Sequence, residues 1–167
     1  MYDELTKDDI AKMEAEIEHR KLVVRKQALE DVKEARAQGD LSENFEYKAA
    51  KQFKNQNESR IRYLEKMIKT ARIISDESAP DEVGLNDTVD VWFEEDEELE
   101  TYTIVTTIRG NSLRGLISRE SPLGSAIFGK KVGDRCEVRV NADISYYVVI
   151  KDIRQNEQAK DLEIRKF

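Results

Sequence analysis

The apolar residues of this chain change their period partway along it. Ile10, Met13, Ile17, Val24, Ala28, Val32 and Ala35 recur at steps of mostly three, four and seven residues. That is the narrow seam of a helix packing against one partner. Thr6 can cap its start, with Asp9 at the N3 position of a capping box, and Leu5 and Ile10 are spaced as a hydrophobic staple across the cap. No Pro or Gly interrupts residues 6–38, which predicts one continuous helix, and Gly39 suits the left-handed position that ends it. A second helical pattern runs from about Leu41 to Ile74. Its expected seam is Phe45, Ala49, Phe53, Gln56, Leu64, Met67, Ala71 and Ile74, with a polar, loosely packed middle around Asn55, Gln56 and Ser59. Each helix has about 33 residues and spans roughly 50 Å at 1.5 Å per residue. Two such helices joined by a short turn must run antiparallel. The predicted result is a coiled-coil hairpin over residues 1–75 whose tip is residues 39–44.

Residues 76–82 are acidic, contain Pro80 and read as a linker. Beyond them the period falls to two. The runs 88–93, 101–105, 135–140 and 146–150 are rich in β-branched and aromatic residues and predict strands. A short helix is expected over 121–128 with a turn at 129–133, and 94–98 reads as a solvated hairpin loop. Residues 83–155 therefore predict a small domain with a mainly antiparallel sheet and one helix, so the fold class of the chain is α+β. Trp92 is expected in its core. Residues 156–167 are a charged tail.

Composition narrows the function. Charged residues make up 38% of the chain and aromatics 7%, which suits an elongated, solvent-rich shape. No run approaches the roughly 18 apolar residues that suggest a membrane span, and the acidic start lacks the apolar core of a signal peptide. The single cysteine, Cys136, excludes an intramolecular disulfide or a cysteine metal cage and suits a reducing cytoplasm. Residues 1–75 carry 16 Lys/Arg and 15 Asp/Glu; residues 76–167 carry 12 and 20. Neither half is basic enough to predict free nucleic-acid binding from charge alone.

The candidate chemistry sits at the tip, in Asp40-Leu41-Ser42-Glu43-Asn44-Phe45-Glu46-Tyr47. Asp40 and Glu43 have two readings. As Asp-x-x-Glu they form a capping box for the second helix, favoured also by the helix dipole. As two carboxylates three residues apart on one side of a helix start, they can share a hard cation such as Mg²⁺, which is often held by one or two carboxylates plus a phosphate. Such a pair is an incomplete site whose remaining ligands would come from a second protein. Ser42 and Asn44 are either cap and first-turn groups or orienting groups. Lys48, Lys51 and Lys54, with Arg25, Lys26, Lys33 and Arg36, either line a path for a polyanion or form a solvated coiled-coil face.

This tip motif, with Leu5-Thr6-Lys7 and Glu34-Ala35-Arg36, resembles that of the bacterial Gre transcript-cleavage factors, GreA and GreB. A second stretch matches independently. Ile117-Ser118-Arg119-Glu120-Ser121-Pro122-Leu123-Gly124, followed by Gly129-Lys130-Lys131-Val132-Gly133-Asp134, resembles the family's FKBP-like C-terminal domain. The resemblance covers nearly the whole chain. It departs at Phe45, where the family commonly has Ala, and in the tail.

The resemblance implies an elongation factor that binds RNA polymerase and inserts its coiled coil through the secondary channel. There it stimulates the polymerase's intrinsic cleavage of the nascent RNA 3′ end in backtracked complexes. It implies no enzyme activity of its own. Asp40 and Glu43 would be the catalytic carboxylates, sharing Mg²⁺ with the polymerase. Ser42, Asn44, Phe45, Lys48 and Lys51 would contact RNA or polymerase. A cytoplasmic protein, monomeric when free, is implied, and the modest basicity of the hairpin places it nearer GreA than GreB. A channel inhibitor of the same shape and a non-catalytic coiled-coil adaptor are the alternatives.

Overall fold

The computed structural model describes residues 3–39, 44–155 and 164. They form two compact units, one of Asp3–Asp9 with the chain from Arg72 onward, the other of residues 10–71. Asp40, Ser42 and Glu43, and the tail expected at 156–167 apart from the buried Ile164, lie outside the described residues.

The helical unit is a hairpin. Helix α1 (Lys7–His19) leads through a π-helical turn, Arg20–Val24, into α2 (Arg25–Ala37), and α3 (Phe45–Thr70) returns alongside. The interruption departs from the single α-helix expected, and the inward-facing positions explain it. Met13, Ala28 and Ala35 are buried and Ile17, Val24 and Val32 half-buried, as predicted. However, 20, 24, 28 and 32 are three successive steps of four. Twelve residues outrun three α-helical turns of 3.6, and a π turn takes up the extra residue without rotating the seam away from its partner. The Arg20 carbonyl in that turn accepts hydrogen bonds from the Arg25 backbone N–H and from the Asn57 amide across the hairpin (3.3 Å).

The seam of α3 also differs from expectation. Phe45, Ala49, Phe53 and Gln56 are exposed; the inward face carries Ala50, Asn57, Ile61 and Leu64. Leu64 is buried as expected and Ile61 joins it, but in the first half of α3 the two aromatic residues face outward and the small Ala50 and polar Asn57 face inward. The polar middle is closely bonded rather than loose. Arg20 donates to Asn57 (3.0 Å) and to Glu16 (2.7 Å), Arg60 holds Glu16 through two nitrogens (2.8 and 3.2 Å), and Arg25 grips Glu58 bidentately (2.7 and 2.8 Å). Arg60 and Asn57 are almost fully buried.

In the other unit, β1 (Glu4–Leu5) pairs in parallel with β2 (Arg72–Ile73). The main sheet has the order β5-β4-β3-β7-β6, from β3 (Asp87–Phe93), β4 (Glu98–Val105), β5 (Leu116–Ser118), β6 (Arg135–Arg139) and β7 (Ser145–Gln155). All its pairings are antiparallel except β4 with β5. Alternating Val89 and Val91, Cys136 and Val138, and Val148 and Ile150 build the core with Leu123 and Ile127 of the short helix α4 (Pro122–Ile127). Trp92, one residue out of phase with Val91, is half-buried on the other side of the strand and not in the core as expected. The acidic loop after β3 is the hairpin turn predicted for it.

Two local devices fix this unit. Ser121 caps α4, its Oγ accepting from the Gly124 N–H (3.1 Å), with Pro122 in the first turn. Gly124 has no room for a side chain, because a Cβ there would stand 2.0 Å from the Ser118 carbonyl oxygen. At the start of α1, Thr6 and Asp9 form the predicted capping box: each backbone N–H donates to the other's side chain (3.0 and 3.1 Å). Asp9 also accepts from the Thr106 hydroxyl (2.8 Å) and pairs with Arg109, and all four residues are buried.

Replacing Gly124 with Ala should lower unfolding free energy by about 1–3 kcal/mol, read from urea denaturation, since the obstacle is backbone. In the hairpin, burial pushes the Glu16 carboxyl up, but Arg60 and Arg20 outweigh it and hold its pKa below the ordinary 4.5. Its stabilisation is thus present above that value and lost as pH falls through the lowered one. Far-UV melts of the wild type should drop on acidification below 4.5, and Glu16→Gln should flatten that drop.

Candidate functional site

The end of the hairpin is built by a few side chains on either side of the loop. Helix α2 closes with the Gln38 N–H bonded to the Ala35 carbonyl (3.3 Å), and Gly39 follows at a positive φ of 150°. On the returning side the cap of α3 is Asn44. It takes extended backbone angles, its Oδ1 accepts from the Tyr47 N–H (3.0 Å), and its carbonyl accepts from the Lys48 N–H (3.2 Å). Its amide nitrogen also donates to the Ala35 carbonyl (2.6 Å). One residue therefore starts α3 and ties it to the last turn of α2. The capping box read from Asp40 and Glu43 would have started the helix four residues earlier; the observed cap comes after that pair. The sequence signal was present, since Asn is among the best N-cap residues, but the acid pair just before it offered a competing pattern.

A second tie lies beside it. Arg36 donates to the Tyr47 hydroxyl (3.2 Å) and lies over its ring, 5.4 Å from the centroid. That hydrogen bond, with the charges of Arg36, Lys51 and Lys54, holds the Tyr47 phenol below its ordinary pKa. Lys48 stands over the Phe45 ring at 5.7 Å, and Phe45 is 80% exposed. From Lys48 an open trough of about 500 Å³ continues along α3, lined by Lys48, Lys51, Gln52, Asn55, Gln56 and Ser59.

Of the residues selected from the sequence, Asn44, Phe45, Lys48 and Lys51 are thus gathered within two turns at the start of α3. Among the described residues, no group of three or more His, Cys, Asp or Glu side chains is placed to hold a metal ion. None of the described helices is long and apolar enough to cross a membrane.

A helical hairpin closed by an Asn cap and followed in the chain by a five-stranded sheet unit defines a two-part protein. Residues 4–73 match the N-terminal model of the transcription elongation factors, and residues 77–155 match the GreA/GreB C-terminal model. The chain belongs to the GreA/GreB family of transcription elongation factors. It is 44% identical to the transcription elongation factor GreA of Thermoanaerobacter pseudethanolicus over 84% of this chain and 90% of that one. To the GreA of Chloroflexus aggregans it is 38% identical over 88% and 94%. The GreA factor homolog 1 (Gfh1) structure from Thermus thermophilus aligns at 24% identity and a TM-score of 0.43, covering 92% of this chain and 99% of that one. The lean toward GreA expected from the modest hairpin charge agrees with these curated relatives.

Asn44→Ala removes both the cap and the tie to α2. It should cost about 1–2 kcal/mol and speed amide exchange at Tyr47 and Lys48, while Asn44→Asp should retain the cap and replace the tie with repulsion between its carboxylate and the Ala35 carbonyl. Hydrogen-exchange mass spectrometry of the hairpin distinguishes the two variants.

Proposed function

We propose that this factor acts on bacterial RNA polymerase in the cytoplasm. As a free monomer it enters the secondary channel with the hairpin foremost and stimulates cleavage of the backtracked RNA 3′ end. The observation that carries this reading is the doubly bonded Asn44. It closes the hairpin immediately beyond Asp40 and Glu43, so the acid pair belongs to the segment that would lead into a partner.

The donor chemistry of the two carboxylates fits Mg²⁺, a hard cation that accepts oxygen ligands and tolerates an incomplete protein shell. Asp40 and Glu43 would hold it jointly with the polymerase, and the bound ion would supply charge stabilisation and an activated water for phosphodiester hydrolysis. The chain's own contribution is to deliver and orient carboxylates. Asn44 fixes the helix behind them. Ser42 and Asn44 orient groups at the RNA end, and Phe45, Lys48 and Lys51 meet RNA or the channel wall. The nuclease remains the polymerase. The sheet unit's role in this reading is to dock on the polymerase surface.

The double variant Asp40→Asn, Glu43→Gln should bind core polymerase as the wild type does and lose stimulated cleavage by on the order of 100-fold. The measurement is RNA shortening in stalled elongation complexes. Undiminished cleavage sinks the carboxylate role. Slowed nucleotide addition without cleavage selects a channel inhibitor, and failure to bind polymerase selects an adaptor.

A further inference from the structure

Phe45 packs against no core, and the Lys48 ammonium lies over one face of its ring, 5.7 Å from the centroid. It opens α3 with 80% of its surface exposed, while the backbone beneath is held by the two Asn44 hydrogen bonds and cannot turn the ring inward without breaking the cap. At 100° per residue, Ala50, Asn57 and Ile61 lie roughly 120° or more from Phe45 and face α2. Lys48, Gln52, Asn55, Gln56 and Ser59 lie within about 80° of it. The ring therefore heads the same face that carries the open trough.

That face has two unlike edges. Exposed Ala49 and Phe53, the latter 50% exposed, continue one side from Phe45; Lys48, roughly 60° round the other way, and Lys51, roughly 120° round and at the margin of the trough, form the other; the amides of Gln52, Asn55 and Gln56 lie between. Glu46, the nearby described acid, sits beyond the apolar edge and away from the lysines. The trough is floored by the aliphatic stems of Lys48, Lys51, Gln52, Asn55 and Gln56, and its hydrogen-bonding groups are ammonium, amide and hydroxyl, with no carboxylate among its lining residues. Rings on one side and ammonium groups on the other match a single strand, whose bases stack and whose phosphates carry the charge.

We propose that Phe45 is a base-stacking platform for single-stranded RNA, with Lys48 and Lys51 meeting the adjoining phosphates. This rests on the functional reading above and assigns to Phe45 a nucleobase rather than the channel wall. Stacking of this kind is sequence-tolerant, because every base presents a π-face. The platform would therefore retain RNA ends of any sequence.

The test uses backtracked complexes of bacterial RNA polymerase whose RNA ends in either a normal nucleotide or an abasic ribose. The factor concentration giving half-maximal cleavage is measured for each. With the wild-type factor, the abasic end should raise that concentration at least about fivefold, the lower range for a lost base stack. Phe45→Ala should abolish the difference and Phe45→Trp should preserve it. Phe45→Leu should behave like Phe45→Ala. If Phe45→Leu behaves as the wild type, the ring meets an apolar protein surface and the proposal falls. If the wild type cleaves both RNAs equally well, the proposal falls while the functional reading stands. If the wild type stimulates no cleavage of either RNA, both fall. The exposed position of Phe45 leaves folding unaffected, which a melting curve for each variant verifies.

Discussion

The hairpin depends on the contact between Arg20 and Asn57. The apolar material buried in the helical unit is slight, chiefly Met13, Ala28, Ala35, Ile61 and Leu64, and so few contacts specify a register only weakly. Asn57 demands one. It is 2% exposed, accepts from the Arg20 guanidinium and donates to the Arg20 carbonyl. Sliding α3 along its partner would strand that amide, at about 1–3 kcal/mol for an unsatisfied buried polar group. The Glu16–Arg60 pair, with Arg60 buried, adds the same demand on one side, and the half-exposed Arg25–Glu58 pair adds a weaker one on the other. Polar groups here select one alignment more than they supply stability, a use seen when single buried polar residues fix coiled-coil register.

That selection is felt at the other end of the hairpin. The Asn44 amide meets the Ala35 carbonyl, and Arg36 meets Tyr47, only in the register that Asn57 chooses. In the reading proposed above, where the hairpin presents Asp40 and Glu43 to a partner, a shift of one helical turn would displace one side of the loop from the other by about 5.4 Å. The sheet unit follows a different logic, with alternating valines and isoleucines filling one core and a glycine at 124 admitting a close backbone approach.

What could be read from the sequence follows from range. The Thr6–Asp9 box, the Ser121 cap, the hairpin and the long strands are written in residues a few positions apart. The π turn was not legible, because Arg20, which begins the three steps of four, is polar and stands outside the apolar seam, and from Ile17 to Ala35 that seam fits five ordinary helical turns. The parallel pair Glu4–Leu5 with Arg72–Ile73 and the strand Leu116–Ser118 were not, because strands of two or three residues carry no period and exist through distant partners. The α3 seam was misjudged because Phe45 and Phe53 outweighed Ala50 and Asn57 in apolar bulk. At the site, Asn44 was selected for chemistry, while its part as cap and cross-tie depends on Ala35, nine residues back.

The carboxylate of Asp9 caps the first helix and also receives the Thr106 hydroxyl, 97 residues later in the chain. A ribosome delivers the chain in order, at roughly 5–20 residues per second. Residues 10–71 are therefore complete several seconds before Thr106 and Arg109 appear. Until then the Asp9 carboxylate has its Thr6 partner but neither Thr106 nor Arg109. The clasp of Asp9 on Thr106 and Arg109 is therefore closed between the two chain segments of one unit, across the whole stretch of chain that forms the other.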